Sequence, residues 1–190
     1  MDVTQPLILA SASPRRRELL SAMGLQFQVI VAETEEAMTG DPAALVMANA
    51  RLKAEAVLKM YPGRMILGAD TVVCIGQQVL GKPRDEQDAF QMLRSLSGKE
   101  HTVFSGVCLI NNGKADVRYD ETKVFFSCLS DDDILRYIAS GEPMDKAGAY
   151  AIQGKAGMFV EKINGSFSNV IGLPMALVRS MLKDAAFPNI

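Results

Sequence analysis

Two long β-type runs, Thr102 to Ile110 and Ala115 to Ser127, are joined by Asn111-Asn112-Gly113. Asn-Gly between such runs is a strong hairpin signal, because the tightest hairpin turns need positive φ at both central residues. The middle of the chain is thereby committed to sheet. Ahead of it, strand-like and helix-like segments alternate. Leu7 to Ala10 is a short apolar run suited to a buried strand. Ser13 then suits an N-cap and Pro14 the first helical position, where its missing N–H costs nothing. Leu19, Leu20 and Met23 give that helix its apolar stripe, and Gly24 stops it. A strand is predicted over Phe27 to Val31. A helix opens at Asp41-Pro42, carries Leu45, Leu52, Ala56 and Met60 at helical spacing, and ends at Pro62-Gly63. Met65 to Leu67 begins a strand. The pattern breaks at Gly68-Ala69-Asp70-Thr71 and resumes over Val72 to Ile75. A turn at Gly76-Gln77-Gln78 leads into Val79-Leu80, and Asp85 caps a helix carrying Ala89, Met92, Leu93 and Leu96.

Beyond the hairpin, Ser130 and Asp133 have capping-box spacing for a helix with Ile134, Leu135 and Ile138. Glycines then interrupt the chain at 141, 148, 154, 157, 165 and 172. Met158 to Ile163 reads as a strand, and a last helix runs from about Pro174 to Lys183. The pattern is mixed α/β with no repeat, linker or domain boundary, so residues 1–190 are expected to form one domain.

The chain has 190 residues, 48% of them hydrophobic, enough for a sizeable core without metal or disulfide staples. Lys plus Arg number 20 and Asp plus Glu 22, for a net charge of −2. This balance argues against polymeric nucleic acid or an acidic membrane as the main partner. Cys74, Cys108 and Cys128 are far apart and form no C-x-x-C pair. They read as small buried hydrophobes in a reducing compartment. No signal peptide and no run of about 20 apolar residues is read, so the expected location is cytoplasmic.

Chemistry concentrates in a few places. Ser11-Ala12-Ser13-Pro14-Arg15-Arg16-Arg17 puts three cations in a first helical turn, the end where the helix dipole disfavours them. A bound anion reverses that sign, and free N–H groups, serine hydroxyls and arginine forks make a phosphate cradle. The alternative is a solvated basic turn balanced by Glu18. The chain has neither a Walker A loop nor G-x-G-x-x-G. Asp70 lies in an apolar strand, where an unpaired buried charge is too costly. It is expected at a bend, as a metal ligand, a general base or a turn cap, with Gly68 allowing close backbone approach. Lys82, in Gly81-Lys82-Pro83-Arg84, is placed to reach an anion or is merely solvated. Glu35 and Glu36 can hold a divalent cation or form a solvated acidic loop. In Asp145 to Gly154 the small residues allow close backbone approach, and the Gln153 amide suits the edge of a base. His101, the lone histidine, is expected at the surface or a strand edge. With one histidine, a Ser-His-Asp or Cys-His mechanism has little to build on.

Together, LILASASPRRRELL, the Glu35-Glu36 pair, the Lys53 helix, LGADTVV, GKPRD, DKAGAYAIQG and INGSFSNVIGLP resemble the Maf family of nucleoside triphosphate pyrophosphatases. The resemblance runs from about Leu7 to Leu182. It implies an α/β, Maf/ITPase-like fold: an elongated mixed sheet with flanking helices, and two lobes around a central nucleotide-binding cleft. GADT followed by AGAYAIQG is similar to the branch that hydrolyses dTTP and UTP. The branch acting on 7-methyl-GTP tends to carry SDQ and an AGSF-type segment. The resemblance implies Asp70 as proton acceptor and Arg15, Thr71 and Gln153 as specificity positions. It implies Ser11, Arg16, Lys53 and Lys82 as phosphate-binding positions, and Glu36 with Asp70 as metal-site carboxylates.

The implied activity is metal-dependent hydrolysis of dTTP and UTP to monophosphate and pyrophosphate, with Mg, Mn or Co as the divalent cation. CTP and modified pyrimidine nucleotides are further candidate substrates, in a house-cleaning role. Partners are then the nucleoside triphosphate and, since dimers are common in the family, a second copy in a homodimer. Two alternatives stand beside this: a purine or 7-methyl-GTP pyrophosphatase, and a nucleotide-sensing regulator of cell division.

Overall fold

A computed structural model describes residues 6–188 and residue 190. Its seven-stranded mixed sheet contains β1 (Leu7–Ala10), β2 (Phe27–Val29), β3 (Ile66–Ile75), β4 (Gln78–Leu80), β5 (Glu100–Asn111), β6 (Lys114–Phe126) and β7 (Val160–Asn164). The order is β2-β1-β3-β5-β6-β7, with β4 paired to β3. β1 is parallel to both β2 and β3, while β4 and β7 run antiparallel to their neighbours. The helices are α1 (Pro14–Ala22), α2 (Pro42–Met60), α3 (Glu86–Leu96), α4 (Asp131–Ile138), α5 (Phe167–Ile171) and α6 (Met175–Asp184).

The punctuation acts as expected at most boundaries. Ser13 accepts from Arg16 N–H, Asp41 from Ala44 N–H and Asp85 from Asp88 N–H. Ser130 and Asp133 form a reciprocal capping box. Asn112 and Gly113 both have positive φ at the β5–β6 turn.

The chain divides into two compact units. The first comprises Met1–Asp70, Ser105–Asp120 and Gly172–Ile190; the second comprises Thr71–Phe104 and Glu121–Ile171. In the first, Ile8, Ala10, Ile66, Cys108 and Ile110 pack with Ala50, Ala54 and Val57 of α2. In the second, Leu93 and Leu96 of α3 and Ile134 and Tyr137 of α4 pack with Val103, Val124, Phe126 and Phe159.

Several expectations need correction. β3 is unbroken through Gly68-Ala69-Asp70-Thr71. Gly68 does allow the close backbone approach expected of it, without a bend: a Cβ would stand 2.3 Å from the Ala50 carbonyl oxygen of α2. Gly106 on β5 is the same case, 2.2 Å from the Val46 carbonyl oxygen. Where α2 lies against Gly68 and Gly106, there is room only for small side chains or none. The buried stripe of α2 runs through Leu45, Val46, Asn49, Ala50, Ala54 and Val57; of the expected stripe Leu45 is buried, while Leu52 and Met60 are exposed. Leu135 and Cys128 are also exposed, while Met158 stands exposed in a 3-10 turn ahead of β7. His101 is no edge residue; it is 2% exposed, inside an aromatic cluster with Phe126 and Tyr150.

Candidate active site

Close packing of α2 on β3 builds the centre of the site. Side chains alternate along a strand, so Gly68 and Asp70 share the face turned to α2. On α2, Asn49 and Lys53 are four residues apart and lie on one face. Lys53 Nζ donates to Asp70 Oδ1 at 2.7 Å, and Asn49 Nδ2 donates to Asp70 Oδ2 at 3.0 Å. Asp70 is 6% exposed and stays inside an intact strand because both its oxygens are satisfied. The expected bend is therefore unnecessary.

Lys53 also reaches Glu36 Oε2 at 2.8 Å, so its ammonium bridges two carboxylates. Glu36 lies in the loop after β2, and Asn49 anchors that loop. The Asn49 side chain accepts from Ala37 N–H at 2.9 Å and donates to Ala37 O at 3.0 Å. Asn49 thus ties the residue next to Glu36 to Asp70 itself. The sequence reading missed it. The available signal was a polar residue on a helix, one turn before Lys53.

The parallel register pairs Ala10 with Gly68, so the end of β1 delivers Ser11 and the start of α1 beside this part of β3. Arg16 is 9% exposed. Its Nε donates to Gly172 O at 2.9 Å and its Nη1 to Ser11 Oγ at 3.0 Å. Burial lowers the proton affinity of this guanidinium, and the field of Asp70 works against that; Arg15 lowers it and Glu36 raises it further. Arg15 is half-buried and Arg17 exposed. The arginine run therefore splits into one buried cation and two at or near the surface.

Ser11, Arg15, Arg16, Glu36, Lys53 and Asp70 all belong to the first unit. Thr71, Lys82 and Gln153 belong to the second. Thr71 follows Asp70 on β3 and is half-buried, while Lys82 and Gln153 are exposed. The small residues of 145–154 have a structural partner: Gly148, at φ +68°, packs against Val73, and its N–H donates to Gly81 O at 3.0 Å. That bond joins the Gly148 segment to the one carrying Lys82. Arg84 is committed to Asp88 of α3.

This is a mixed α/β protein with a lysine-bridged pair of carboxylates on a buried strand and a buried arginine nearby. The chain belongs to the Maf family: the family described as Maf-like protein matches residues 6–185. It is 51% identical over 172 residues to the dTTP/UTP pyrophosphatase of Thermococcus gammatolerans, covering 90% of this chain and 92% of that protein. It is 50% identical over 188 residues to the dTTP/UTP pyrophosphatase of Anaeromyxobacter dehalogenans, covering 96% and 95%. It is also 46% identical over 181 residues to that of Pelotomaculum thermopropionicum, covering 93% and 95%.

Proposed function

We propose that this protein hydrolyses dTTP and UTP to the nucleoside monophosphate and pyrophosphate. The carrying observation is the Glu36–Lys53–Asp70 cluster, held under α2, in a chain whose near relatives are named for this activity. Asp70 acts as general base. Lys53 and Asn49 hold its two oxygens in fixed directions. It takes the proton of a water whose oxygen bonds to the α-phosphorus. The α–β bridging P–O bond breaks, and pyrophosphate leaves. Arg16, Lys53, Lys82 and Ser11 bind phosphate oxygens and stabilise the charge that develops there. Arg15, Thr71 and Gln153 select the base, the Gln153 amide offering both a donor and an acceptor to a pyrimidine edge.

Among the described residues no three acidic, histidine or cysteine side chains converge. Glu36 and Asp70 nevertheless suit a hard divalent cation, which takes one or two carboxylates and completes its shell with phosphate and water oxygens. Such a cation neutralises triphosphate charge when bound; Mg, Mn and Co are the candidates. Lys53 bridges the same two carboxylates, so it holds them together in the free protein. The cytoplasm, where nucleotide pools lie, is the compartment that goes with this function. Among the described residues no helix is long and apolar enough to cross a membrane.

The test is a panel of dTTP, UTP, CTP, GTP and 7-methyl-GTP with each cation, separating pyrophosphate from orthophosphate. Pyrophosphate from dTTP and UTP, with little from the purines, is the expected result. Orthophosphate refutes attack at the α-phosphorus. Folded protein that turns over no nucleotide favours the regulatory alternative.

A further inference from the structure

Gln153 is exposed on a turn, 151–154, closed by Gly154 N–H donating to Ala151 O at 3.0 Å. The turn is held from both sides. At its entry, Ala151 N–H donates to the Tyr137 hydroxyl at 3.2 Å. At its exit, Lys155 N–H donates to Glu142 Oε2 at 3.2 Å. The two anchors are joined, since Tyr137 donates to Glu142 Oε1 at 2.9 Å. The same carboxylate lies against Gly154, where a Cβ would come within 2.2 Å of Oε1. The anchors are themselves fixed: the Tyr137 ring is buried edge-on to Phe159, and Glu142 N–H donates to Ser140 Oγ at 3.4 Å.

From this geometry we infer that Tyr137 and Glu142 are positioning residues for base selection, a brace that fixes the Gln153 turn. The inference rests on Gln153 contacting the base, as proposed above. A hydrogen-bonding site rejects the wrong base only if its groups cannot shift to satisfy it. A turn free to slide would accommodate more than one base edge and would pay ordering entropy on binding the right one. The brace removes both freedoms by holding the backbone on either side of Gln153. It also explains Gly154, whose missing side chain is what lets the carboxylate approach. Burial, with Glu142 beside it, holds the Tyr137 hydroxyl above its ordinary range, so it stays protonated and able to donate.

The experiment compares kcat/KM for dTTP and GTP in the full-length wild type, Glu142→Ala, Glu142→Gln, Tyr137→Phe and Gln153→Ala, with thermal melts confirming folding. Glu142→Ala and Tyr137→Phe are expected to reduce the dTTP-to-GTP ratio about tenfold, mainly through KM for dTTP. Glu142→Gln, which keeps acceptor capacity for the Lys155 N–H, is expected to retain most of it. A Glu142→Ala protein that loses both activities by the same factor, or keeps the ratio within about twofold while Gln153→Ala collapses it, overturns the brace. An unchanged ratio in Gln153→Ala overturns the assignment of Gln153 itself, and the brace as a selectivity device with it.

Discussion

The two units hide different kinds of polar group. In the first, the buried charged residues Arg16 and Asp70 are locked to Ser11, Gly172, Asn49 and Lys53. In the second, the buried polar residues His101, Thr122 and Asn169 carry no formal charge at neutral pH. Thr122 and Asn169 bond each other, the Val103 carbonyl and the Ser166 segment. Buried charges persist only when paired, which is why each charge of the first unit's cluster has its partner beside it. The carboxylate that holds the Gln153 turn, Glu142, is only half-buried and is paired with the buried Tyr137 hydroxyl. The chain passes from one style to the other between Asp70 and Thr71.

The contrast breaks most sharply at Asp70. Asp70→Asn keeps the shape and leaves Lys53 its Glu36 partner, so the fold should survive. Turnover of dTTP is expected to fall about 10²–10⁴-fold, the usual scale for loss of a general base. Calorimetric titration with dTTP should still show binding. Full activity would remove Asp70 from the chemistry.

Glycines sharpen the comparison in stability. Gly68→Ala drives a Cβ into the Ala50 carbonyl, with the Ala54 Cβ at 3.0 Å and its backbone nitrogen at 3.1 Å. Backbone cannot rotate away, so a loss of about 3 kcal/mol is expected in urea unfolding. At Gly154→Ala the nearest atoms are those of the Glu142 carboxylate, which can turn aside without moving backbone, at the cost of its bond to Lys155 N–H. The loss from this substitution in the same assay should stay below about 1 kcal/mol. Equal costs would mean that α2 is less tightly seated than it looks.

Asn49 tests whether the charged cluster depends on a neutral brace of its own. Asn49→Asp conserves size and can still accept from Ala37 N–H, but it cannot donate to Asp70 or to Ala37 O. A fall of about 10–100-fold in kcat is expected, the range seen when a hydrogen-bonded supporter of an active carboxylate is lost. In an Asp70→Asn background the same change should cost little, because its effect runs through Asp70. Additive losses in the double variant would reject that route.

How much was legible in the sequence follows from the same physics. Caps and turns were readable because each depends on one or two residues: Ser13 with Pro14, Asp41, Asp85, Ser130 with Asp133, Asn112 with Gly113. On the α2 core face Leu45 is buried as expected, but hydrophobicity also points to Leu52 and Met60, which are exposed. Packing against Gly68 and Gly106 selected small side chains instead. Asp70 was picked out by its cost in an apolar strand. Its partner Asn49 was not, since an asparagine on a helix announces nothing until the strand beneath it is known. The Tyr137–Glu142 brace was equally silent, because it joins a helix, a 3-10 turn and a loop through hydroxyl, carboxylate and backbone groups without a fixed spacing.

Of the second unit's buried polar residues His101, Thr122 and Asn169, His101 is the one that can take up a charge. Burial lowers its pKa to about 4 from an ordinary 6.5. Its Nε2 sits 2.9 Å from the Tyr150 hydroxyl, and its Nδ1 has no partner among the described residues. Below pH 6.5 the unfolded chain takes up a proton that the folded chain refuses until about pH 4. The stabilisation is therefore complete above pH 6.5 and is lost as pH falls toward 4. The full difference is about 3 kcal/mol, of which about 2 kcal/mol is gone by pH 5. Urea unfolding at pH 7 and pH 5 should show that loss in the wild type. In His101→Phe the protein is weaker at pH 7, because Tyr150 loses its partner, but the pH-dependent part is expected to shrink by the same amount. An unchanged pH dependence in the variant would reject His101 as the source of the acid sensitivity.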